Sequence, residues 1–526
     1  MDVVFYHFIM VYLRILLLLF IVFIYNKLSG QSIDDRYTIN EIEILTNNVF
    51  DDDSKGYHRL MNKFHIVTKD QVIERELLFK KSDTLDIELI EESLRKLRRL
   101  HFIQTVEIEI DTMNADSVNI NVITKDHWSL VPNFIIEAGG GLIGVGASVE
   151  ESNFLGLGKN LYIEAYNESD IGTTWTMSYY DPQVFGSTIR SYIEYNTGPL
   201  IQEFTMKAYQ PFYSSDSKFT YGLRYEYKDE KQRLFYEGEE FSRINYNKTG
   251  IYSFGGYAFG KRYRKKKIYL MYRYEDKKYS DLGEQTTTPL PDDEIVSATT
   301  IGFEIESEKF STNTKIDNFR QIEDFTLGYS TYFSIGKAGF PVPVGVQRFE
   351  FYFSHSHGFM FAGDQYLFLD ISYDNQVDRN TIYSTDNQYY NRLFNWSTLA
   401  INFEFEYASV LEESRQFILG GASGLRGYEA REFTGDKLML LNIENRFFTD
   451  LELLTIQLGF VGFVDIGNVW NRGKDIDLSQ LNYSAGFGLR LGYTKITDAP
   501  VVRIDIGWPL NRKSGFGLSF GIDQQF

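Results

Sequence analysis

The sequence predicts a transmembrane antiparallel β-barrel preceded by one small α+β head. Three observations predict it. From Leu130 to the end, apolar and polar residues alternate in segments of about ten residues separated by turn signals. The composition suits such a barrel: aromatics reach 16%, with 43 Phe, 37 Tyr and 42 Gly but only 10 Pro, while mean hydropathy stays negative at -0.27. Upstream of Leu130 the pattern changes to strand, helix, helix, strand, strand, the size of a small independent domain.

The chain begins with an almost continuous apolar run from Val11 to Ile24, broken by Arg14 and followed by Lys27-Leu-Ser-Gly-Gln31. A run that short, ending in small residues, reads as a secretory signal peptide over residues 1–30, cleaved near Gly30. Residues 31–129 form the head. Ile42 and Ile44 alternate with Glu41 and Glu43 in a first strand, and Asp51-Asp-Asp53 reads as a loop. Thr68-Lys-Asp-Gln71 has capping-box spacing and opens a helix through Leu78. Asp86 caps a second helix, whose Ile90, Leu94 and Leu97 share one face while Arg95, Lys96, Arg98 and Arg99 stay in water. Val106, Ile108, Ile110 and then Val118, Ile120, Val122 close the unit as two strands.

Residues 130–526 form the barrel. Ile143, Val145, Ala147 and Val149 alternate with Gly144, Gly146, Ser148 and Glu150, and Leu367, Leu369, Ile371 and Tyr373 with Phe368, Asp370, Ser372 and Asp374. One face is large and apolar, the other small, polar or charged. Strands of about ten residues cross a hydrocarbon layer at a tilt, and backbone groups in lipid must all pair, so the sheet must close. Alternation alone yields about eighteen to twenty candidate strands, some of which can be loop hairpins, and both ends on one side require an even number. The first strand carries Pro132, which lacks an amide donor, and ends at Gly139 to Gly141, so its ladder is expected to be short and its seam weak.

Two long strands, around Leu399 to Tyr407 and Met439 to Arg446, flank Gly420-Gly-Ala-Ser-Gly-Leu-Arg-Gly-Tyr428. A glycine-rich loop is ordinarily a solvated connection. Here it carries one cation, Arg426. Downstream, Phe463-Val-Asp-Ile-Gly467 lies in a strand where Leu458, Phe460, Val464 and Ile466 face outward, so Asp465 points into the lumen, where an inward-folded loop meets it. A charge-assisted pair would hold such a loop, and leaving either charge unpaired there costs on the order of 3–5 kcal/mol. The chain ends on another alternating strand, Phe516, Leu518, Phe520, Ile522, then Gln524 and Phe526, with the terminal aromatic expected on the lipid face.

Leu425-Arg426-Gly427-Tyr428 resembles the Arg-Gly-aromatic loop motif of the BamA/TamA outer-membrane assembly superfamily. Phe463-x-Asp465-x-Gly467 resembles that family's partner strand motif, and Glu151-Ser-Asn-Phe-Leu-Gly156 its early-barrel signature. The head resembles a POTRA domain. Phe520, Ile522 and Phe526 are similar to the C-terminal recognition signal of bacterial outer-membrane barrels. Leucine at 425, where valine is commoner, and a single POTRA-like unit depart from the pattern. The resemblance implies sixteen strands, an Arg426–Asp465 pair, and Gly427 and Tyr428 packing the loop tip into the lumen. It also implies a location in the outer membrane of a Gram-negative-type bacterium with the head in the periplasm. The partners would be unfolded outer-membrane or secreted polypeptide clients, outer-membrane lipid, and periplasmic or lipoprotein subunits.

Other chemistry finds little support. A net charge of -19 argues against nucleic acid, and without cysteine there is no disulfide or thiolate site. Gly139-Gly-Gly141 and Gly156-Leu-Gly158-Lys159 do not open helices after strands, so no nucleotide site is read. His355-Ser-His357 puts two imidazoles on one strand face with no third metal ligand. No catalytic constellation appears and no cofactor is expected. The resemblance therefore implies a non-enzymatic factor that inserts or translocates polypeptides by passage or templating at the seam where the first and last strands meet. The alternatives are a two-partner-type secretion pore, whose plug helix has no room before the first strand, and a passive porin or receptor, which needs neither head nor loop.

Overall fold

The computed structural model describes residues 37–526 apart from 51–55, 57–61, 64, 115, 320–322, 362–363, 378–379, 413, 454–455, 494–500, 512–514 and 523. The signal peptide expected over 1–30 lies outside the described residues. In the head, β1 (Thr38–Asn47) pairs parallel to β3 (Ser117–Asp126), which pairs antiparallel to β2 (Ile103–Asn114). Helices α1 (Asp70–Glu76) and α2 (Ile87–Arg98) cover the sheet. Ile39, Ile73, Leu97, Phe102, Val118, Ile120 and Val122 form the core between them.

The caps differ from one another. Asp86 accepts from the amides of Glu88 and Leu89, the expected N-cap. Thr68 does not cap α1, whose N-cap is Lys69 without a side-chain bond. The Thr68 amide instead donates to Asp126 (2.7 Å), and its hydroxyl accepts from Asn153 (2.8 Å). Joining the head to the first barrel turn outweighed the local cap.

Twenty strands, from Leu130–Gly139 to Gly517–Ile522, close into one antiparallel barrel, each paired with its sequence neighbours. This replaces the sixteen implied by resemblance. The alternating segments allowed as loop hairpins join the wall instead. Four consecutive strands, Phe219–Tyr236, Glu239–Lys261, Arg264–Asp281 and Glu294–Asn313, run to 18, 23, 18 and 20 residues and extend past the bilayer span on the side away from the head. Phe134, Ile136, Ile163, Leu270, Ile301 and Phe487 are exposed outward, forming the apolar belt.

The seam between first and last strands is weak as expected, but Pro132 and the glycines do not shorten the first strand itself. The first strand pairs with the second along all ten residues, Leu130↔Glu151 through Gly139↔Leu142, Pro132 included. Its other edge is the poor one. The last strand has six residues and shares one register pair with it, Phe520↔Ala138. Beyond Ile522 the tail leaves the wall: Gln524 and Phe526 are held inside by Arg490 and Arg446.

The head is fastened to the barrel's near rim. Asn153 and the Gly156 carbonyl hold Thr68 and Lys69; Gln183 and Tyr213 donate to Glu76 (2.7 and 3.0 Å); the Ser215 amide donates to Glu92 (2.7 Å). Arg262 reaches Asp86, Glu88 and Asp216 at 2.8–2.9 Å. Consequently Arg95 and Lys96, expected in water, face the barrel: Arg95 donates to the Tyr263 hydroxyl (3.1 Å), and Lys96 stands 3.2 Å over the Tyr213 ring.

Asp126, fully buried at the head–barrel junction, has its carboxyl pushed up to about 6 by burial, against the bond from Thr68. Its folded form therefore holds a proton more tightly than the unfolded chain, and its contribution to stability is lost as pH rises from about 4 through about 6. His65, 3.8 Å away and held low by burial, works in the opposite sense. The difference between wild type and Asp126→Asn isolates the carboxyl. In urea unfolding of the head, the wild type should lose stability relative to the variant across that window; a constant difference from pH 4 to 7 would contradict it.

Candidate functional site: the luminal loop and its ion network

The strand pairing dictates which residues can meet. Antiparallel register sets Asn442 opposite Asp465 and Asp465 opposite Ser484, all on the inner face. Glu444 and Asp505 lie on the inner face of their own strands, and with Asp465 they give three fully buried carboxylates. Strand arginines flank two of them, but the cation that reaches all three comes from the loop.

Arg426 is 1% exposed. Its guanidinium forks onto Asp465, Nε at 2.8 Å and Nη2 at 2.7 Å, and its own amide donates to the same carboxylate at 3.2 Å. Nη1 donates to Glu444 (2.7 Å) and Asp505 (3.2 Å), and the guanidinium carbon sits 3.5 Å from the Phe463 ring centroid. Asn442 bridges Asp465 and the Gly424 carbonyl, both at 2.8 Å. Planar delocalised charge with five donors is what three carboxylates and an aromatic face demand, so lysine would be a poor substitute.

The rest of the loop is shaped to deliver that group. Leu425 is buried among Leu419, Leu438 and Leu440, and Tyr428 donates to the Tyr483 carbonyl (3.0 Å). Gly427 has φ +93°, and a Cβ on it would stand 2.9 Å from Gly507 carbonyl atoms. On the opposite side, a Cβ on Gly517 would lie 2.7 Å from Gly427 Cα. Backbone meets backbone there, and only glycine permits it. Gly467 likewise stands under Leu419 and the Met439 carbonyl.

The network continues outward from Arg426. Arg490 donates to Asp505 (2.5 Å) and to Gln524 (2.9 Å); Arg446 pairs with Glu444 (3.0 Å) and Asp317 (2.6 Å) and donates to the Phe526 carbonyl (3.0 Å). Arg503 joins Asp505 (3.5 Å) and contacts Gln525. Four arginines thus face four acids, so the charges within this network balance.

Of the residues singled out in the sequence, the structure brings together Leu425, Arg426, Gly427, Tyr428, Phe463, Asp465 and Gly467. Phe520 and Ile522 lie on the outer face. Phe526 does not: it packs with Ile316, Tyr366 and Tyr390, its ring 5.0 Å from Arg446. The tail breaks parity because the inner arginines bind it more strongly than a six-residue ladder can. Glu444, Asp505, Arg446 and Arg490 were missed as partners. Their signal was an acid or base on the polar face of each alternating strand, but alternation cannot say which of many such residues meet at one height. His355 and His357 lie on the outer, membrane-facing side, ring centroids 5.8 Å apart. Among the described residues no group of three potential metal ligands occurs.

The loop also spans the seam. The Ala430 amide donates to the Gly140 carbonyl (2.8 Å), at the tip of the first hairpin, while Gly427 rests on Gly507 and Gly517 of the last two strands.

Asp465→Asn keeps the shape and leaves Arg426 with two acids, whereas Arg426→Ala strips Asp465 of its cation and leaves Glu444 and Asp505 to Arg446, Arg490 and Arg503. The arginine variant should therefore lower the barrel's heat-modification midpoint more. Its loss should be on the order of 3–5 kcal/mol. The Arg426→Ala/Asp465→Ala double variant should be little worse than Arg426→Ala alone, since both remove one interaction. Additive losses on the same gel assay would contradict the pairing.

A family described as Omp85 superfamily domain matches residues 352–526, and the POTRA family, described as surface antigen variable number repeat, matches residues 64–125. No curated protein matches the sequence. Among solved structures, BamA from Haemophilus ducreyi lacking POTRA domains 1-3 is 14% identical, over 94% of this chain and 85% of that one, with a TM-score of 0.45. CdiB from Acinetobacter baumannii is 14% identical over 93% and 74%, TM-score 0.47, and CdiB from Escherichia coli 12% identical over 95% and 80%, TM-score 0.48. An Omp85 superfamily domain in the barrel and a POTRA domain in the head support the BamA/TamA Omp85 superfamily that the loop and strand motifs resemble.

Proposed function

We propose that the protein inserts polypeptides into the outer membrane, or passes them across it, by opening the seam between its first and last strands, with its head in the periplasm and without nucleotide. The observation that carries this reading is the seam itself. Every other neighbouring pair in the barrel shares at least six register pairs, whereas the closing pair shares one, Phe520↔Ala138. Among the described residues, Leu130 to Glu137 of the first strand have no register partner on that edge, and Phe134 is 79% exposed. An unpaired edge beside lipid is a template for another strand. Passive diffusion fits poorly, because the loop occupies the lumen and the head is fastened over part of its mouth. The protein is read as non-enzymatic: the inner charges are engaged with one another rather than poised on a substrate. Client polypeptides, outer-membrane lipid and accessory subunits are the partners this reading needs.

The register names the test. Ala138 and Phe520 are directly opposed, so cysteines there should fall within the roughly 7 Å Cα separation a disulfide tolerates. The chain has no other cysteine to interfere. Oxidised Ala138→Cys/Phe520→Cys should keep the barrel's gel mobility and lose client assembly in cells, regained with reductant. Full activity in the verified oxidised form would contradict seam opening. Transport would then run through the lumen, as in two-partner secretion, with the loop from Gly420 to Tyr428 as its gate.

A further inference from the structure

At the end of the barrel away from the head, the loop from Leu282 to Asp293 carries Glu284, Gln285, Asp292 and Asp293. The next loop at that end, between strands Glu323–Ala338 and Phe349–Phe361, is of another kind. Ala338-Gly-Phe-Pro-Val-Pro-Val-Gly-Val346 has no polar side chain at all. Phe340 is 56% exposed, Val342 47% and Val344 39%. Single apolar residues on a surface need no explanation, but a contiguous set marks a contact.

The exposure is built in, because the loop is tied to the wall. The Ala338 amide donates to the Arg348 carbonyl (2.9 Å), and those of Gly339 and Phe340 donate to the Ser297 carbonyl (2.7 and 3.2 Å). The Val344 amide donates to the Val342 carbonyl (2.8 Å) and that of Val346 to the Ile295 carbonyl (3.0 Å). Pro341 and Pro343 have no amide to satisfy. Gly345 bends the chain back at φ +67°, where a Cβ would stand 1.8 Å from the Ile295 carbonyl oxygen. Of the nine residues, five donate inside the protein and two are proline. That is the condition lipid imposes, since backbone groups left unpaired in it are costly.

The loop's place on the wall agrees. Thr299 and Lys337 are directly opposed on the outer face, one outward row beyond Ile301 and Ile335 of the exposed apolar belt. The Thr299 hydroxyl donates to the Phe340 carbonyl (3.2 Å), so Phe340 is folded back to that row. Lys337 lies with its ammonium 4.5 Å from the Phe349 ring centroid. An apolar stem on the wall with its charge at the edge is how lysine sits at a headgroup boundary.

We propose that the loop from Ala338 to Val346 inserts into the membrane leaflet away from the head, with Phe340 and Val342 among the shallow acyl chains. Lipid is the partner because the patch continues the lipid-facing belt without a break and presents almost no free amide. The loop joins the eleventh and twelfth of the twenty barrel strands and leans on the tenth, half-way round from the seam. It would hold the back of the barrel in the bilayer while the seam side moves. The inference goes beyond the polypeptide-handling reading and does not rest on it.

The chain has no cysteine, so Val342→Cys places a single environment-sensitive fluorophore. The full labelled chain is reconstituted in phosphatidylcholine nanodiscs, with and without lipid bearing a nitroxide at a shallow acyl position. The label at Val342 should emit to the blue and lose most of its intensity to the nitroxide lipid. Lys278→Cys is the control, on an exposed side chain further along the strand whose Tyr272 pairs with Thr299. Its label should emit as in water and keep its intensity. Folding is read from heat-modifiable mobility, and if Val342→Cys does not fold, Phe340→Cys carries the label instead. An unquenched label in the folded barrel would overturn the proposal and leave the patch to a protein partner. Equal quenching at Val342 and Lys278 would overturn it too, because lipid would then touch that whole end without regard to the loop.

Discussion

A single guanidinium constrains the interior of this barrel. Three fully buried carboxylates, Glu444, Asp465 and Asp505, come from three separate strands and converge on Arg426, the one cation among the described residues that pairs with all three. The cation is not part of the wall. It arrives on a loop, so the stability of the wall's polar face depends on where that loop lies. Removing the loop would leave uncompensated charge at low dielectric, one of the costliest defects a fold can carry. The same acids hold Arg446 and Arg490, and those hold the chain's last residues. Loop, wall and tail are therefore linked through one set of charges.

That linkage gives the seam its character. A six-residue closing strand with one register pair would be a weak boundary by itself. The loop reinforces it from inside, touching Gly140 on one side and Gly507 and Gly517 on the other. Glycine at these positions lets main chain lie on main chain. A client strand entering the free edge would compete with a tail held by side-chain contacts more than by a ladder, which is an easier exchange than unzipping a full sheet.

The fold class and the head's element order were legible because they depend on local pattern: period two in the wall, and Ile90, Leu94 and Leu97 on one helical face. The pairing of Arg426 with Asp465 was legible from a cation in a glycine-rich loop and an acid on an inner face. Strand number was not, since a hairpin in a wall and a hairpin in a loop alternate alike. Nor was the tail's path: Phe526 continues the parity of Phe520 and Ile522, and its turn inward is explained by Arg446, Arg490 and Arg503, which lie far earlier in the chain. The dock hid Arg95 and Lys96 from a sequence reading for the same reason. A basic helix face looks solvated until the surface opposite is known. Thr68 satisfied a capping pattern and was taken instead by Asp126 and Asn153, where a tertiary contact outcompeted a local one.

The central claim is that the loop and the closing strand behave as one cooperative unit held by the ion network. Hydrogen exchange on Asp505→Asn tests it most directly, because Asp505 touches Arg426 and Arg490 while lying outside both the loop and the last strand. The account predicts that amides from Gly420 to Tyr428 and from Gly517 to Ile522 lose protection together, with the strands farthest from the seam unaffected. Loss of protection in the loop alone, with the last strand exchanging as in the wild type, would contradict it.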